Sequence, residues 1–245
     1  MVENAESFSN VLEAHLAAAG PHVEVINAGV GNTGPHNYLG TLQRNLYLKP
    51  DVFIAVLYTG NDFVNALAIS DFFSKRPESR LEGDDGQAYQ RMMLDAYKSF
   101  GATVVDRFNQ ALKFTRFPAD GEIALAASID CFRQMAAICR EQHIGFLAVL
   151  LPTKPDVEQD DREAFLDVLQ TCGLSEAEYG IDARMGARWA EALRADGISV
   201  LDTTDALRAA GDTPHYWRKD WHLNVAGHAL VAGLLQPVVA PLLPR

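Results

Sequence analysis

The run Val52-Phe53-Ile54-Ala55-Val56-Leu57-Tyr58 constrains the fold more than any other feature of the chain. Its apolarity is continuous rather than alternating, the pattern of a strand buried on both faces of a parallel sheet. Pro50 breaks the helical pattern of 37–48 just before it. A similar strand covers 144–151 and stops at Pro152, and shorter β-prone runs fall at 23–27 and 198–202. Helical spacing covers 7–19, ended by Gly20-Pro21, and recurs from Ile123 to Cys139, over 183–195 and from about Asn224 onward. Strands alternating with helices predict an α/β fold, a doubly wound parallel sheet flanked by helices. The stretch 63–121 is too long for a simple connection and is expected to be an insertion in a single domain spanning 1–245, either a lid over a site or a surface excursion.

Composition narrows the partners. The chain of 245 residues carries 21 basic and 32 acidic side chains, a formal charge of −11, so an electrostatic grip on nucleic acid is not expected. The three cysteines, Cys131, Cys139 and Cys172, form neither a complete disulfide framework nor a CxxC ligand pair. The histidines show no metal spacing, so neither a metal nor another cofactor is predicted. The first twenty residues lack the apolar core of a signal peptide. The apolar stretch 223–243 contains Asn224, His228 and Pro237, and reads as a packed terminal helix rather than a membrane span.

In open α/β sheets, ligands bind outside the carboxyl ends of the strands. Three polar segments belong there by sequence: the turn 29–34, Gly60-Asn61-Asp62, and Asp220-Trp221-His222-Leu223-Asn224. The glycine-rich turn gives a nucleotide site only weak support. An Asp two residues from a His can accept its Nδ1–H, fix the tautomer and leave Nε2 as a base. Read alone, Asp-x-His also describes a structural or surface histidine, and Gly-Asn-Asp is good turn chemistry. Together, an Asn at one strand end and an Asp–His pair at another suit acyl transfer: the amide donates to an oxyanion and the imidazole moves the proton.

These blocks carry a resemblance. Val25-Ile26-Asn27-Ala28-Gly29-Val30-Gly31 with Asn32-Thr33-Gly34, Lys49-Pro50-Asp51, Gly60-Asn61-Asp62, Leu150-Leu151-Pro152-Thr153-Lys154, Val200-Leu201-Asp202 and Asp220-Trp221-His222-Leu223-Asn224 occur in the order of the SGNH (GDSL) hydrolases, and the chain resembles that family from Phe8 to its end. The resemblance implies a flavodoxin-like sheet of order 2-1-3-4-5. It implies that His222 is the base, Asp220 the acid that orients it and Asn61 the oxyanion asparagine. Asn32 stands where the family has a glycine whose N–H completes the oxyanion hole; a left-handed backbone there is costlier for Asn than for Gly. Only Trp221 separates Asp220 from His222, a spacing shared with acetyl-transferring relatives.

One block is missing. The family's nucleophile is the serine of Gly-Asp-Ser after the first strand, and no Gly-Asp-Ser occurs in the chain. Ser7 and Ser9 lie on or entering a helix, and neither follows a strand. The first strand should sit between 23–27 and 52–58, so its loss leaves edges that need water, another chain or self-association. The expectation is therefore that Met1 is an internal start and that the natural chain is longer; any secretion signal, and with it a periplasmic or secreted location, would belong to that upstream segment. The predicted function is an acyl-ester hydrolase, acting on small or carbohydrate-linked esters and inactive without its serine. The alternatives are a polysaccharide O-acetyltransferase and a non-catalytic protein that binds glycans or a partner chain through the old crevice.

Overall fold

The computed structural model describes residues 2–20, 23–74, 83–158, 162–175, 178, 180–209, 211, 213–218 and 220–244. In chain order the elements are α1 (Phe8–Ala19), α2 (Pro35–Asn45), β1 (Val52–Tyr58), α3 (Asp62–Ser74), α4 (Gly83–Phe100), α5 (Ala102–Arg116), α6 (Pro118–Glu141), β2 (Gly145–Leu151), α7 (Lys154–Val157), α8 (Arg162–Thr171), α9 (Ile181–Ala195), β3 (Val200–Asp202), α10 (Thr204–Ala209), β4 (Tyr216–Trp217), β5 (Asp220–Leu223) and α11 (Val225–Val239). Local chemistry sets several boundaries. The Ser7 side chain caps α1, Pro35 opens α2, and the Asn224 side chain accepts from the Gly227 N–H at the start of α11.

The protein is α/β. A three-stranded parallel sheet, in the order β1-β2-β3, pairs Val52 with Gly145 through Tyr58 with Leu151, and Ala148 with Val200 through Leu150 with Asp202. Strand alternation splits the core into two layers. Ala55, Leu57, Ala148 and Leu150 pack with buried residues of α2, α3, α6 and α9. Leu147 and Val149 face the other way, against Leu12 and Leu16 of α1, Leu207 of α10 and Val231, Ala232 and Leu235 of α11. Helices thus cover both faces, which is why β2 is apolar at every position.

β1 departs from that pattern. Ile54 and Val56 are only partly buried, and among the described residues β1 is an edge strand. The strand expected at 23–27 is not formed: residues 23–30 carry no regular secondary structure and pair with no strand of the sheet, and Ile26 is 60% and Val30 69% exposed. The Val25 N–H donates to Glu13 Oε2 of α1 at 2.6 Å instead of to a strand. A β-prone sequence becomes a strand only where a neighbouring edge is within reach, and tertiary context decides this.

Within 63–121, α3 joins the sheet core through Phe63 and Leu67. α4 and α5 instead share a separate apolar cluster with α8, built around Tyr89, Met93, Phe108, Leu112, Phe165 and Leu169. Val225–Leu242 is long and apolar enough to cross a membrane by length and composition; in this fold its inward side packs against α1 and the sheet. Cys131 and Cys139 are buried in α6, where desolvation pushes their thiols up to about 12 and about 11.

Candidate functional site

The turn after β1 is built tightly. The Tyr58 N–H donates to Asp62 Oδ2 at 2.8 Å, and the Tyr38 hydroxyl of α2 donates to the same oxygen at 2.9 Å. A Cβ at Gly60 would come within 2.6 Å of the Tyr58 ring, so a larger residue there would have to displace that ring. Burial raises the Asp62 carboxyl to about 7, against the two donors that favour its charge. Between Gly60 and Asp62, Asn61 is exposed, and its carbonyl accepts from the Asn65 N–H at 3.1 Å.

The second polar turn leans on the first. Asn32 has φ 56°, the left-handed conformation, and is exposed. One residue later, the Thr33 carbonyl accepts from Asn65 Nδ2 at 3.4 Å. At Gly34 an added Cβ would lie 2.8 Å from Cβ of Asn65, so close approach requires glycine there. Asn32 and Asn61 are therefore brought to one place through Asn65. The glycines at 29, 31 and 34 have the spacing of a dinucleotide-binding turn, but the segment before them is not the strand that such a turn requires.

His222 lies on β5, half of an antiparallel hairpin with β4 that the sequence did not announce. It is exposed. Asp220 is placed opposite Trp217 by its main chain; its side chain lies outside the described residues. The hairpin is pinned to the carboxyl end of β2. Glu158 Oε1 accepts from the His215 N–H at 2.6 Å and the Tyr216 N–H at 3.1 Å, and its Oε2 sits 3.8 Å from the fully buried Lys154 Nζ. The Tyr216 hydroxyl donates to the Pro152 carbonyl at 2.6 Å. His222 also lies close enough to His228 to oppose its protonation; burial is the larger cause of the lowered His228 pKa, and Glu6 pulls the other way. His228 Nδ1 accepts from the Phe8 N–H at 3.0 Å and its ring stacks on Phe8, which brings the start of α1 to the same region.

The two serines of that helix start have local duties. Ser7 Oγ donates to the Asn4 carbonyl at 2.8 Å and lies 3.0 Å from Ser9 Oγ, which is buried. Among the described residues, no group of three His, Cys, Asp or Glu side chains is gathered to hold a metal ion. The arrangement offers an exposed imidazole and amide donors on two adjoining turns, groups suited to moving a proton and holding an anion.

Gln110 carried no signal in the sequence, because its partners come from three other parts of the chain. Its Nε2 donates to the Thr59 carbonyl at 2.6 Å and to Asp182 Oδ1 at 2.7 Å, and its Oε1 accepts from the Val64 N–H at 3.0 Å. Asp182, on α9, is buried, and desolvation pushes its carboxyl up to about 8. No protein-family model, curated protein or solved structure matches the chain.

Proposed function

We propose that this chain is the scaffold of an SGNH-type acyl-ester hydrolase, with His222 as base, Asp220 as its orienting acid, and Asn61 and the Asn32 N–H as oxyanion donors. The observation that carries the reading is the left-handed Asn32 turn held against the Asn61 turn through Asn65. Two amide donors on adjoining, rigidly braced turns are what a developing alkoxide needs.

In the proposed reaction a serine hydroxyl attacks the ester carbonyl while His222 takes its proton. The tetrahedral oxyanion collapses, His222 returns the proton to the leaving alcohol, and an acyl-serine remains. Water, deprotonated by the same imidazole, then releases the carboxylic acid and restores the serine. The serine is supplied by a strand seated along the open edge of β1, between it and the unpaired 23–30 segment. That strand would make the sheet flavodoxin-like, of order 2-1-3-4-5.

The Asp-x-His spacing favours a close variant in which a sugar hydroxyl replaces water as acyl acceptor. The lack of Gly-Asp-Ser in these 245 residues favours a different reading, a crevice that binds acylated glycans without turning them over. Turnover of p-nitrophenyl acetate and of acetylated sugar by the protein from its natural source, beside its His222→Ala and Asn61→Ala variants, separates them. The hydrolase reading predicts a loss of about 10³-fold or more for His222→Ala and about 10²-fold for Asn61→Ala. Turnover unchanged in both variants, or ester binding with no turnover at all, contradicts it.

A further inference from the structure

We propose that α5 is the positioning element of this site: Gln110 fixes the main chain on both sides of Asn61, and Phe108 seats Trp221 and with it the strand that carries His222. The catalytic meaning rests on the hydrolase reading above; the coupling itself rests on contacts within the fold.

Gln110 is 1% exposed and bonds through both ends of its amide. Thr59, whose carbonyl accepts from it, lies two residues before Asn61, and Val64, whose N–H donates to it, lies three after. Val64 is in the first turn of α3, where main-chain N–H groups have no partner within the helix. Gln110 thus caps α3 from another helix and clamps the turn at both ends. Asp182 holds the amide from behind, at 2.7 Å. Asn61 is exposed and its carbonyl is engaged by Asn65, so the turn geometry that Gln110 enforces determines where its side chain starts.

Two residues earlier on α5, the Phe108 ring meets the Trp221 ring with centroids 4.9 Å apart and planes at 64°. The Phe108 ring also stacks on Phe165 of α8, with centroids 3.9 Å apart. Successive residues of a strand point to opposite faces, so fixing Trp221 on one face of β5 fixes the face to which His222 belongs. Residues two apart on a helix point about 200° apart, so α5 engages the turn with one side and the hairpin with the other. A helix from the 63–121 stretch is in this way a spacer between the two halves of the site.

The test reads each half separately by nitrogen-15 NMR of the substrate-free protein. Gln110→Met keeps the volume and removes the hydrogen bonds; Phe108→Leu removes the ring contact. Leu112→Ala, in the same helix and the same apolar cluster, is the control for general loosening. The expected result is that Gln110→Met shifts the Asn61 side-chain amide resonance, Phe108→Leu shifts the His222 ring nitrogens, and Leu112→Ala moves neither. Unmoved resonances in the first two variants, or equal shifts in all three, overturn the proposal. If Gln110→Met does not fold, Gln110→Glu keeps the acceptor for Val64 and lacks the donors to Thr59 and Asp182, and the same Asn61 shift is expected. In protein that turns over ester, Phe108→Leu is expected to lower kcat by about 10²-fold with KM unchanged. Resonance shifts together with absent esterase activity in the protein from its natural source support the coupling and contradict the hydrolase reading; turnover with unmoved resonances does the reverse.

Discussion

At Asn32 the main chain turns with φ 56°, a conformation that Asn enters more readily than other residues with a Cβ. Asn32→Gly is expected to leave stability within a few tenths of a kcal/mol, whereas Asn32→Ala should cost about 1 kcal/mol. Urea unfolding of the pair checks this, and an Ala variant as stable as the Gly variant would show that the turn relaxes. Asp62 and Asp182 set a pH dependence at the same scale. Both carboxyls are raised by burial from 3.8, to about 7 and about 8. The folded state therefore holds protons that the unfolded chain has released. Their contribution is complete below about pH 4 and is lost as pH rises through 7 to 8. Asp182→Asn should flatten that fall, measured as urea midpoints across the range; a midpoint rising with pH in the native chain and unaltered in the variant would contradict the assignment.

Among the elements, the junction between the hairpin and α11 is the most exacting. Asn224 caps α11 through its Oδ1, while its Nδ2 donates to the carbonyls of Pro214 at 2.7 Å and Tyr216 at 3.3 Å. Asn224→Ala removes a cap and both tethers, and should cost about 2 kcal/mol in chemical unfolding, at the upper end for a cap. A loss of only a few tenths would mean that the tethers carry no weight. Gly227 is tighter still, since a Cβ there would sit 2.2 Å from the His215 carbonyl oxygen.

The same elements show what a sequence reveals. Asn224 as cap, Ser7 at a helix start, Pro50 and Pro152 as boundaries and the buried run of β2 are all set by local chemistry, and were legible for that reason. The hairpin of β4 and β5 was not, because two- and four-residue strands leave no periodicity to read. The pattern at 23–27 promised a strand, and the missing ingredient was a neighbour to pair with. Asn61 and His222 were singled out from their own segments, and Asn32 only through the family resemblance. Gln110 and Phe108 could not, since their importance comes from contacts between helices, turn and hairpin far apart in the chain.

For the whole molecule, the edge of β1 that is open among the described residues is the decisive feature. The Thr59 N–H donates to Leu151, toward β2, and the Tyr58 N–H donates to Asp62 instead. Main-chain groups alternate sides along a strand, so those of Ile54 and Val56 face the free edge while those of Ala55 and Leu57 serve the ladder. In this chain, amide hydrogen exchange should be faster at Ile54 and Val56 than at Ala55 and Leu57. Equal protection at all four would show that the edge is covered. A free edge of this length also invites self-association, and the hydrolase reading gives it an occupant, a strand that ends in the nucleophile.

The most direct measurement is fluorophosphonate labelling of the protein purified from its natural source, followed by mass spectrometry of the modified peptide. One labelled serine other than Ser7 and Ser9 is expected, with loss of the label in His222→Ala. A natural protein that takes no label, or takes it at Ser7 or Ser9, would contradict the hydrolase reading.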